Sequence, residues 1–412
     1  MLLQKVEKGE LLTYVDLCSA EFKHSSHEMY KEIRIHHPVC PVQFYLNKNA
    51  WLFTRYEDAM QMLKDPRISK DYHTASVEDE GEELLVAAGF EESEYLFNHM
   101  LNADPPNHTR LRAVSQKAFT PKAIARLEEK IRHIADDLLN KVELKQTINL
   151  VDDYSFPLPI IVICDLLGIP KEDRDKFRKW SNAIIDSSED PEQIAENAIL
   201  LKEFLEYLRA ITAQKRQEPQ EDLISTLIFA EEDGQRLNEK EIYSTLMLLI
   251  VAGHETTVNL ITNTVLALLQ HPDQFQLLKD NPSLLDSAID ESLRFYSPVE
   301  LATERWASEA MTIHGQDIQK GDPIIVSIAA ANRDERMFDN PDIFDITRKN
   351  NRHLSFGSGI HFCLGAMLAK LEAKIAVQTL INRFPSMQLA EKEVEWRGNY
   401  LMRGLEKLEL HL

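Results

Sequence analysis

The spacing of apolar residues predicts a series of long helices through the middle of the chain. Apolar side chains recur at intervals of three and four positions, which is the period of a helix with one buried face. The segments with this pattern are residues 121–144, 170–187, 193–217, 238–270 and 282–296. Pro121 stands near the start of the first helix, and Pro272 ends the fourth because the residue before a proline is disfavoured in the helical conformation.

Alternating apolar positions predict short strands near the two ends of the chain. Residues 42–46 and 51–54 flank an Asn-Lys-Asn turn and indicate a hairpin. Further strands are predicted at residues 311–313 and 323–327, where glycines supply the turns. Residues 331–356 are rich in Asn, Asp, Arg and Pro, and an irregular segment of this length is uncommon unless it has a function. The pattern therefore predicts a mainly α protein with a minor β part.

Composition excludes several classes of function. The 412 residues include 46 Lys and Arg against 67 Asp and Glu, a net charge of −21, so the basic footprint of a nucleic-acid-binding protein is missing. Four cysteines form no CxxC pair and are widely spaced, which argues against a zinc ribbon or a disulfide framework. They are Cys18, Cys40, Cys164 and Cys363.

The sequence also argues against secretion and membrane insertion. Residues 1–20 lack the basic start and apolar core of a signal peptide. The apolar stretch of residues 242–270 is interrupted by His254 and Glu255, and no apolar run reaches the ~18 residues that a membrane helix needs. We therefore expect a cytoplasmic protein.

The segment around Cys363 is the most informative part of the chain. Gly357 and Gly359 precede the cysteine and Gly365 follows it, and glycine permits tight turns and close approach of the backbone to a ligand. Phe356 stands at the start of the segment, and an apolar helix is predicted to begin near the cysteine. A lone thiolate held in this way suits a single axial bond to a flat metal cofactor. The structural alternative is a buried core cysteine after a glycine turn.

The predicted helix of residues 238–270 contains a second candidate site. Gly253 and Thr256 are poor choices for a helix interior, so the helix has a reason to widen there, such as a ligand beside it. Glu255 adds an acid next to the threonine alcohol, which suits proton transfer. The alternative is a kinked core helix with a surface glutamate. A zinc-protease HExxH motif is excluded because Val258 stands where the second histidine is needed.

These segments resemble the motifs of the cytochrome P450 family. The residues from Phe356 to Gly365 fill every fixed position of the haem-binding pattern FxxGxxxCxG. Glu291 and Arg294 are similar to the family's ExxR pair, and the segment from Asp104 to Arg112 is similar to DPPxHxxxR. The sequence is most similar to soluble bacterial P450s that oxidise macrolides, polyketides, steroids and related lipophilic molecules.

The resemblance implies a single P450 domain over residues 1–412, with a large helical part around haem b and a small β-rich region. It implies that Cys363 ligates the iron and that two histidines and two arginines bind the propionates. Those four are His108, Arg112, Arg305 and His361. Other haem contacts implied in this way are Phe356, Ala252, Gly253 and Gly365. Glu291, Arg294 and Arg348 are expected to hold the irregular segment before the cysteine.

The resemblance also implies how the reaction proceeds. Thr256 and Glu255 are expected to manage the protons that are needed to split dioxygen, so that one oxygen atom enters a C–H or C=C bond. The predicted substrate pocket is aliphatic, which favours a lipophilic substrate. Its residues are Leu248, Val251, Ala252, Leu301, Ala302, Leu401 and Met402. Residues 72–101 and 165–196 are expected to form a lid.

Electrons are expected from separate proteins, because the sequence has no GxGxxG dinucleotide motif. By resemblance these are a ferredoxin or flavodoxin and its NAD(P)H-dependent reductase, acting on a monomer. A basic patch for an acidic partner could be formed by Arg67, Arg110, Lys117, Arg352, Lys370 and Lys374. Two alternatives stay open: another haem-thiolate activity, such as peroxide-driven oxidation, coupling or dehydration, and a haem protein that only binds a ligand or gas. A haem-free helical scaffold would leave the cysteine loop unexplained.

Overall fold

The computed structural model describes residues 12–43, 49–75, 89–92, 94–117, 119–185, 190–232 and 235–412. Helices α1 to α17 span, in chain order, Tyr14–Cys18, Ala20–His36, Tyr56–Met62, Tyr72–Ala75, Glu94–Phe97, Asn107–Gln116, Pro121–Ala125, Glu128–Val142, Pro157–Leu167, Arg174–Ile185, Pro191–Gln217, Leu223–Phe229, Glu239–Gln270, Pro272–Asp280, Leu285–Phe295, Ile328–Ala331 and Ala366–Arg383. Strands β1 to β13 span Leu12–Thr13, Val39–Gln43, Asn49–Phe53, Ile68–Ser69, Thr147–Asn149, Glu231–Glu232, Gln235–Arg236, Arg305–Ala307, Met311–Ile313, Gln316–Ile318, Pro323–Val326, Gln388–Leu389 and Glu409–His411. The protein is therefore mainly helical with a small β part, as predicted.

The chain divides into two compact units, each assembled from separate stretches of sequence. The first comprises Met1–Ser69, Glu128–Leu158 and Thr256–Leu412, and the second comprises Lys70–Leu127 and Pro159–Glu255. The division falls inside the long helix α13, between Glu255 and Thr256.

The first unit contains the main sheet. Its six strands lie in the order β1-β2-β3-β11-β8-β4, with β2 antiparallel to β3 and β11 parallel to β3. The predicted hairpin is confirmed as the β2–β3 pair, although its turn lies outside the described residues. Aliphatic side chains of the sheet pack against α2 through Phe22, Met29 and Ile33, all fully buried. A smaller sheet, β12-β13-β5, holds the C-terminal strand.

The second unit is built on the helices α10 to α12 and the first half of α13. Aromatic rings join α10 to α11: Trp180 stacks on Phe204 with ring centroids 5.1 Å apart, and Phe177 meets Phe204 edge-on at 5.9 Å. Such offset and edge-on pairs are favourable beyond the area that they bury. Asp190 caps α11 by accepting the N–H of Glu192, and a proline follows in the first turn.

Helix α13 begins and continues as the sequence predicts. Asn238 and Glu241 form a reciprocal cap, in which each side chain accepts a backbone N–H of the other. The helix is long and apolar enough, by length and composition, to cross a membrane, which corrects the expectation that no such run exists. However, 83% of its most apolar window is buried inside the protein, as is usual for the core helix of a large domain.

Three helix predictions need correction. The helix predicted at residues 170–187 begins with a 3₁₀ turn, Lys171–Asp173, before α10. The segment of residues 121–144 is two helices, α7 and α8, because the N–H of Leu127 turns back to the carbonyl oxygen of Ile124 at 2.9 Å. A single turn between two amphipathic helices preserves the apolar spacing, so the pattern could not reveal it. The helix predicted at residues 282–296 begins with a 3₁₀ turn, Pro282–Leu284, before α15. Residues 331–356 are irregular, as predicted, since no helix or strand occurs between α16 and the turn at Gly359–His361.

Helix α17 buries a carboxyl group. Glu372 is 1% exposed, and its Oε2 atom has no hydrogen-bond partner within the described residues. Burial raises the pKa of Glu372 well above its ordinary value, because the charged form loses its hydration. Glu372 is therefore neutral in the folded protein at pH values where it is ionised in the unfolded chain.

This difference makes the stability depend on pH. Since the folded pKa is raised, the unfolded chain releases a proton that the folded chain retains, and stability falls as pH rises above the unfolded pKa. We expect Glu372→Gln to raise Tm at pH 8 and to raise it less at pH 5, measured by differential scanning calorimetry. Glu129→Gln, at an exposed position of α8, is the control. An equal effect of Glu372→Gln at both pH values would contradict the assignment.

Candidate active site

Cys363 lies on a loop that is closed by its own backbone. Its N–H donates to the carbonyl oxygen of Phe356 at 2.9 Å. Gly357 and Gly359 have φ values of 70° and 73°, in the left-handed region that disfavours a side chain. A Cβ atom on Gly359 would also approach the carbonyl oxygen of Leu63 to 2.9 Å. The glycines are therefore required by the backbone, and they fix the cysteine within the first unit.

The cysteine stands just before α17 and not within it. The helix begins at Ala366, with Gly365 as its N-cap residue. A Cβ atom on Gly365 would meet no other atom within 4 Å, so this position faces open space. The position two residues after Cys363 therefore borders open space.

The other cysteines differ from Cys363 in their surroundings. Burial raises the pKa of Cys40 to about 11 and that of Cys164 to about 12. Those two thiols stay protonated at neutral pH and are poor metal ligands. Cys363 and Cys18 are both half-buried, but only Cys363 is held in a glycine loop. None of the four cysteines is in a disulfide bond.

The structure brings together Glu291, Arg294 and Arg348 in the first unit. Arg294 donates to both carboxylate oxygens of Glu291, at 2.9 and 2.8 Å, and both residues are fully buried. Arg348 Nε lies 3.0 Å from Glu291 Oε2. The N–H of Asp345 and the amide of Asn351 also donate to this carboxylate, at 2.9 and 3.1 Å. Four groups thus replace the hydration of one buried charge.

The two arginines also bind the irregular segment before the cysteine. Arg294 donates to the carbonyl oxygens of Asn332, Pro341 and Ile343 at 2.8 to 3.1 Å. Arg348 donates to the carbonyl oxygen of Asp339 at 2.7 Å and reaches that of Ile343 at 3.0 Å. Guanidinium donors therefore satisfy the carbonyl groups that a helix or sheet would otherwise satisfy.

Asn332 is a further link, and it lies in the segment 331–356 that the sequence predicts to be irregular. Its Oδ1 accepts the N–H of Leu354 at 2.7 Å, and its Nδ2 donates to Ser297 and Ser355 at 2.8 and 2.9 Å. These bonds tie the end of α15 to the residues that lead into the cysteine loop. An asparagine directly after a short helix carries no local pattern that would reveal this role.

Helix α13 becomes accessible at its centre. Ala252 is exposed and Gly253 and Thr256 are half-buried, whereas most of the helix is buried. A Cβ atom on Gly253 would lie 3.1 Å from the side chain of Ile163 in α9, tighter than ordinary contact, so a small residue fits here. The small residues thus leave one short accessible strip on a core helix.

Glu255 is almost fully buried, with 2% exposure. Its Oε2 atom lies 3.8 Å from Nε2 of His254, whose Nδ1 donates to the carbonyl oxygen of Ile250 at 2.8 Å. Burial is the largest effect on His254 and lowers its pKa, so this ring is neutral. An acid and an alcohol therefore stand next to each other in sequence at the accessible strip.

The four predicted propionate ligands lie in both units. In the second unit, His108 on α6 is 3% exposed and Arg112 follows one turn later. Burial, and then the cation of Arg112, lower the pKa of His108, and Asp104 opposes them. In the first unit, Arg305 begins β8 with 5% exposure and donates to the carbonyl oxygen of Thr303 at 2.6 Å. His361 ends the 3₁₀ turn before the cysteine.

The predicted substrate residues are mostly buried. Leu248 and Val251 are each 8% exposed in the second unit, and in the first unit Ala302 and Met402 are 9% and 7% exposed. Leu301 is 1% exposed and belongs to the core between α2 and the sheet, against which Leu401 also packs. The predicted lid at residues 72–101 is described only in part, since residues 76–88 and 93 lie outside the described residues, as do residues 186–189.

These residues fit a haem. In the first unit a thiol is presented on a glycine loop, Gly365 borders open space, and the imidazole of His361 and the guanidinium of Arg305 are groups of the kind that bind carboxylates. Across the described ranges, no cluster of three or more His, Cys, Asp or Glu side chains that could hold a metal ion occurs. A single thiolate ligand is compatible with that arrangement.

Comparison with known proteins identifies the class. The model of the Cytochrome P450 family matches residues 48–399. The chain belongs to the cytochrome P450 family. Its enzymes are haem-thiolate monooxygenases with haem b as the cofactor, and the sequence-based expectation of fold, enzyme class and cofactor is confirmed.

Individual relatives are similar over almost their whole length. A protein of Bacillus subtilis (strain 168) named Cytochrome P450 is 54% identical over 402 residues, covering 97% of each chain. The structure of PksS, a P450 of the bacillaene polyketide synthase of Bacillus subtilis 168, is 42% identical, with a TM-score of 0.88 over 96% of this chain and 99% of that one. The myxobacterial CYP267B1, solved with myristic acid, is 39% identical, with a TM-score of 0.90 over 96% and 98%.

The Glu291 cluster leads to a stability prediction. Arg294→Met leaves a buried carboxylate short of its main partner, and we expect a loss of about 3–5 kcal/mol in the free energy of unfolding in urea, or no folded protein at all. Arg132→Met is the control, because Arg132 pairs with Glu128 at 3.3 Å on the exposed side of α8. Exposed pairs contribute little, so its change should stay within about 0.5 kcal/mol. Equal small losses in both variants would contradict the role of the cluster.

Proposed function

We propose that this P450 inserts one oxygen atom from dioxygen into a lipophilic small molecule, with electrons from separate redox proteins. The observation that carries the proposal is the closed glycine loop that presents Cys363 beside open space. A haem held by Cys363 would supply the chemistry that activates dioxygen, because a cysteine thiolate donates electron density to the iron and so favours cleavage of the O–O bond. The residues of this chain bind that group, orient the substrate and move protons.

Cys363 is proposed as the residue that would ligate the haem iron, within a loop that would also provide Phe356 as a contact. His108, Arg112, Arg305 and His361 are proposed to bind the two propionates, because buried carboxylates need cations or hydrogen-bond donors. Ala252, Gly253 and Gly365 are proposed to let the flat macrocycle approach the backbone. Glu291, Arg294 and Arg348 hold the segment before the cysteine and so act on the cofactor only indirectly.

Thr256 and Glu255 are proposed as the catalytic pair. The half-buried Thr256 offers a hydroxyl at the accessible strip of α13, where it can hold a proton close to the reacting oxygen. Glu255 is buried and can pass a proton to that hydroxyl by reorientation of its carboxyl group. The neutral ring of His254 adds no competing positive charge beside it.

The substrate is proposed to be a polyketide or macrolide, a steroid, a terpenoid or a fatty-acid-like molecule. Similarity to a P450 of a polyketide synthase and to one solved with myristic acid supports this class. The aliphatic residues Leu248, Val251, Ala302 and Met402 favour an apolar ligand, and Ala252, Leu301 and Leu401 complete the proposed pocket. Burial of apolar ligand surface, about 25 cal/mol per Å², would then supply most of the affinity.

The proposed electron donor is a ferredoxin or flavodoxin with an NAD(P)H-dependent reductase. Ile360 and Met367 on either side of Cys363 are exposed, and Lys370 and Lys374 follow on α17. Of the other predicted basic residues, Arg110 pairs with the nearly buried Glu241 and its side chain is 24% exposed, whereas Arg67 pairs with Asp65 and its side chain is 41% exposed.

The lysines of α17 are also paired, with Asp290 and Asp286 at 2.7 and 2.8 Å. Their side chains are nevertheless about 40% exposed to solvent. Burial alone would raise the pKa of Asp290, yet the hydrogen bonds from His353 and Lys370 outweigh it and lower the pKa. An acidic partner can therefore approach the lysines from solvent.

We propose that the chain acts as a single catalytic domain over residues 1–412, in the cytoplasm and as a monomer. The family match through both units supports the single domain.

The ligand role of Cys363 is tested by the spectrum of the reduced protein with carbon monoxide. We expect the strongly red-shifted Soret band of a thiolate complex in the wild type and its loss in Cys363→Ser. Cys18→Ser is the control because Cys18 is also half-buried, and its spectrum should be unchanged. A protein without haem, or with haem but without that band, would contradict the proposal; oxygen-dependent product formation then separates an enzyme from a ligand-binding haem protein.

The partner surface is tested by charge reversal. We expect Lys374→Glu to slow reduction of the ferric protein by a ferredoxin at least about fivefold at low salt, and the difference to shrink as salt is added. Lys145→Glu is the matched control, because Lys145 is similarly exposed and also pairs with one acid, Asp153 at 2.9 Å. Equal rates for the two variants in stopped-flow reduction would contradict docking at α17.

A further inference from the structure

A cluster of charges is buried in the first unit. Lys23, Glu300 and Arg403 are each no more than 2% exposed. Lys23 Nζ lies 2.7 Å from Glu300 Oε2, and Arg403 Nη1 lies 3.6 Å from the same oxygen. Tyr30 donates to Glu300 Oε1 at 3.1 Å. Removing each charge from water costs several kcal/mol, and only interactions with well-placed partners offset this cost.

Glu300 is the central member of this cluster. In the described part of the chain it is the one acid within 4 Å of either Lys23 or Arg403. The other Arg403 contacts are neutral: Nη1 donates to Ser26 Oγ at 2.9 Å, and the guanidinium lies 3.9 Å from the centre of the Trp396 ring. Without the Glu300 carboxylate, two cations would remain buried close together with no counter-charge.

Glu300 and Arg403 lie on two chain segments that form a short antiparallel ladder. The N–H of Glu300 donates to the carbonyl oxygen of Leu401 at 2.8 Å, and the N–H of Arg403 donates to that of Pro298 at 2.9 Å. Val299 and Met402 face each other between these bonds as a β-bridge. Because side chains alternate along a strand, Glu300 and Arg403 lie on one face of the ladder and Val299 and Met402 lie on the other.

Helix α2 anchors the charged face. It supplies Lys23 and Tyr30 to the carboxylate, and it supplies Ser26 Oγ and the carbonyl oxygen of Lys23 to Arg403. The ladder is therefore clamped to α2 on one side, whereas its opposite face carries Met402, a residue of the proposed substrate pocket.

We propose that Glu300 is a positioning residue that fixes Val299 and Met402 through this clamp and so sets which ligands, and which orientations of a lipophilic substrate, the pocket accepts. The inference rests on the proposed function in one respect, namely that Met402 faces the substrate. Glu300 itself does not touch the substrate. A change in its charge is expected to alter ligand selectivity without altering haem ligation.

The test compares Glu300→Gln with Glu335→Gln in the haem-loaded protein. Glu335 pairs with Arg34 of the same helix α2 at 3.0 Å but is 39% exposed and takes no part in the ladder, so it controls for the loss of an acid that pairs with α2. Two readouts are used: amide hydrogen exchange of residues 298–303 and 400–404, and the Kd of 4-phenylimidazole relative to that of imidazole. Imidazole needs little of the pocket wall, whereas the phenyl ring probes it.

We expect Glu300→Gln to speed exchange in the ladder at least about tenfold and to change the Kd ratio at least about fivefold, with the Kd of imidazole unchanged. Glu335→Gln should change neither readout. The double variant Lys23→Met/Glu300→Gln removes one of the two cations, so its exchange should lie between that of Glu300→Gln and that of the wild type; it also serves as the test if Glu300→Gln does not fold.

Unchanged ladder exchange and an unchanged Kd ratio in a folded variant would overturn the inference. Failure of the proposed function gives a different result, a wild-type protein without the red-shifted carbon monoxide band. The exchange measurement tests the clamp independently of that band.

Discussion

The fold of the first unit depends on keeping one buried carboxylate fully solvated by protein. Glu291 is fully buried, so the donors of Arg294, Arg348, Asn351 and the backbone must all be in place at once. A partly satisfied charge would cost more than the interaction returns. The need to satisfy the Glu291 carboxylate thus fixes the relative positions of residues far apart in sequence. The irregular segment that leads to Cys363 is ordered because it supplies several of these donors.

The same physical principle recurs at the proposed pocket wall. A second buried set of charges is formed by Lys23, Glu300 and Arg403. It joins α2 to the two segments of the short ladder, which are not part of a long strand. In both places an irregular stretch of backbone is held by side-chain charges. The cysteine loop differs, because glycines in the left-handed conformation and a backbone hydrogen bond hold it. The backbone preference of glycine therefore shapes the cysteine loop, and buried ion pairs hold the other irregular segments.

The sequence predicts what depends on local pattern. Helix α13 and the β2–β3 hairpin follow from apolar spacing and turn residues, and the cysteine loop follows from glycine positions. Helix α2 is not predicted from the sequence, because charged and polar residues such as Lys23 stand among its apolar positions. The partner of Lys23 lies 277 positions away, so no local signal announces that this lysine is buried. Family motifs indicate the positions of the candidate site residues. The partners that orient these residues are distant in sequence, so no local pattern predicts them.

The donation of guanidinium groups to backbone carbonyls has a consequence for how this chain can change in evolution. Surface loops usually vary in length, since their backbone groups are satisfied by water. Between Asn332 and Cys363 the carbonyl groups of Pro341 and Ile343 must instead reach fixed donors on α15. One inserted or deleted residue would shift every later carbonyl out of reach. This irregular stretch is therefore constrained in length as strictly as a core strand, while its exposed side chains remain free to vary.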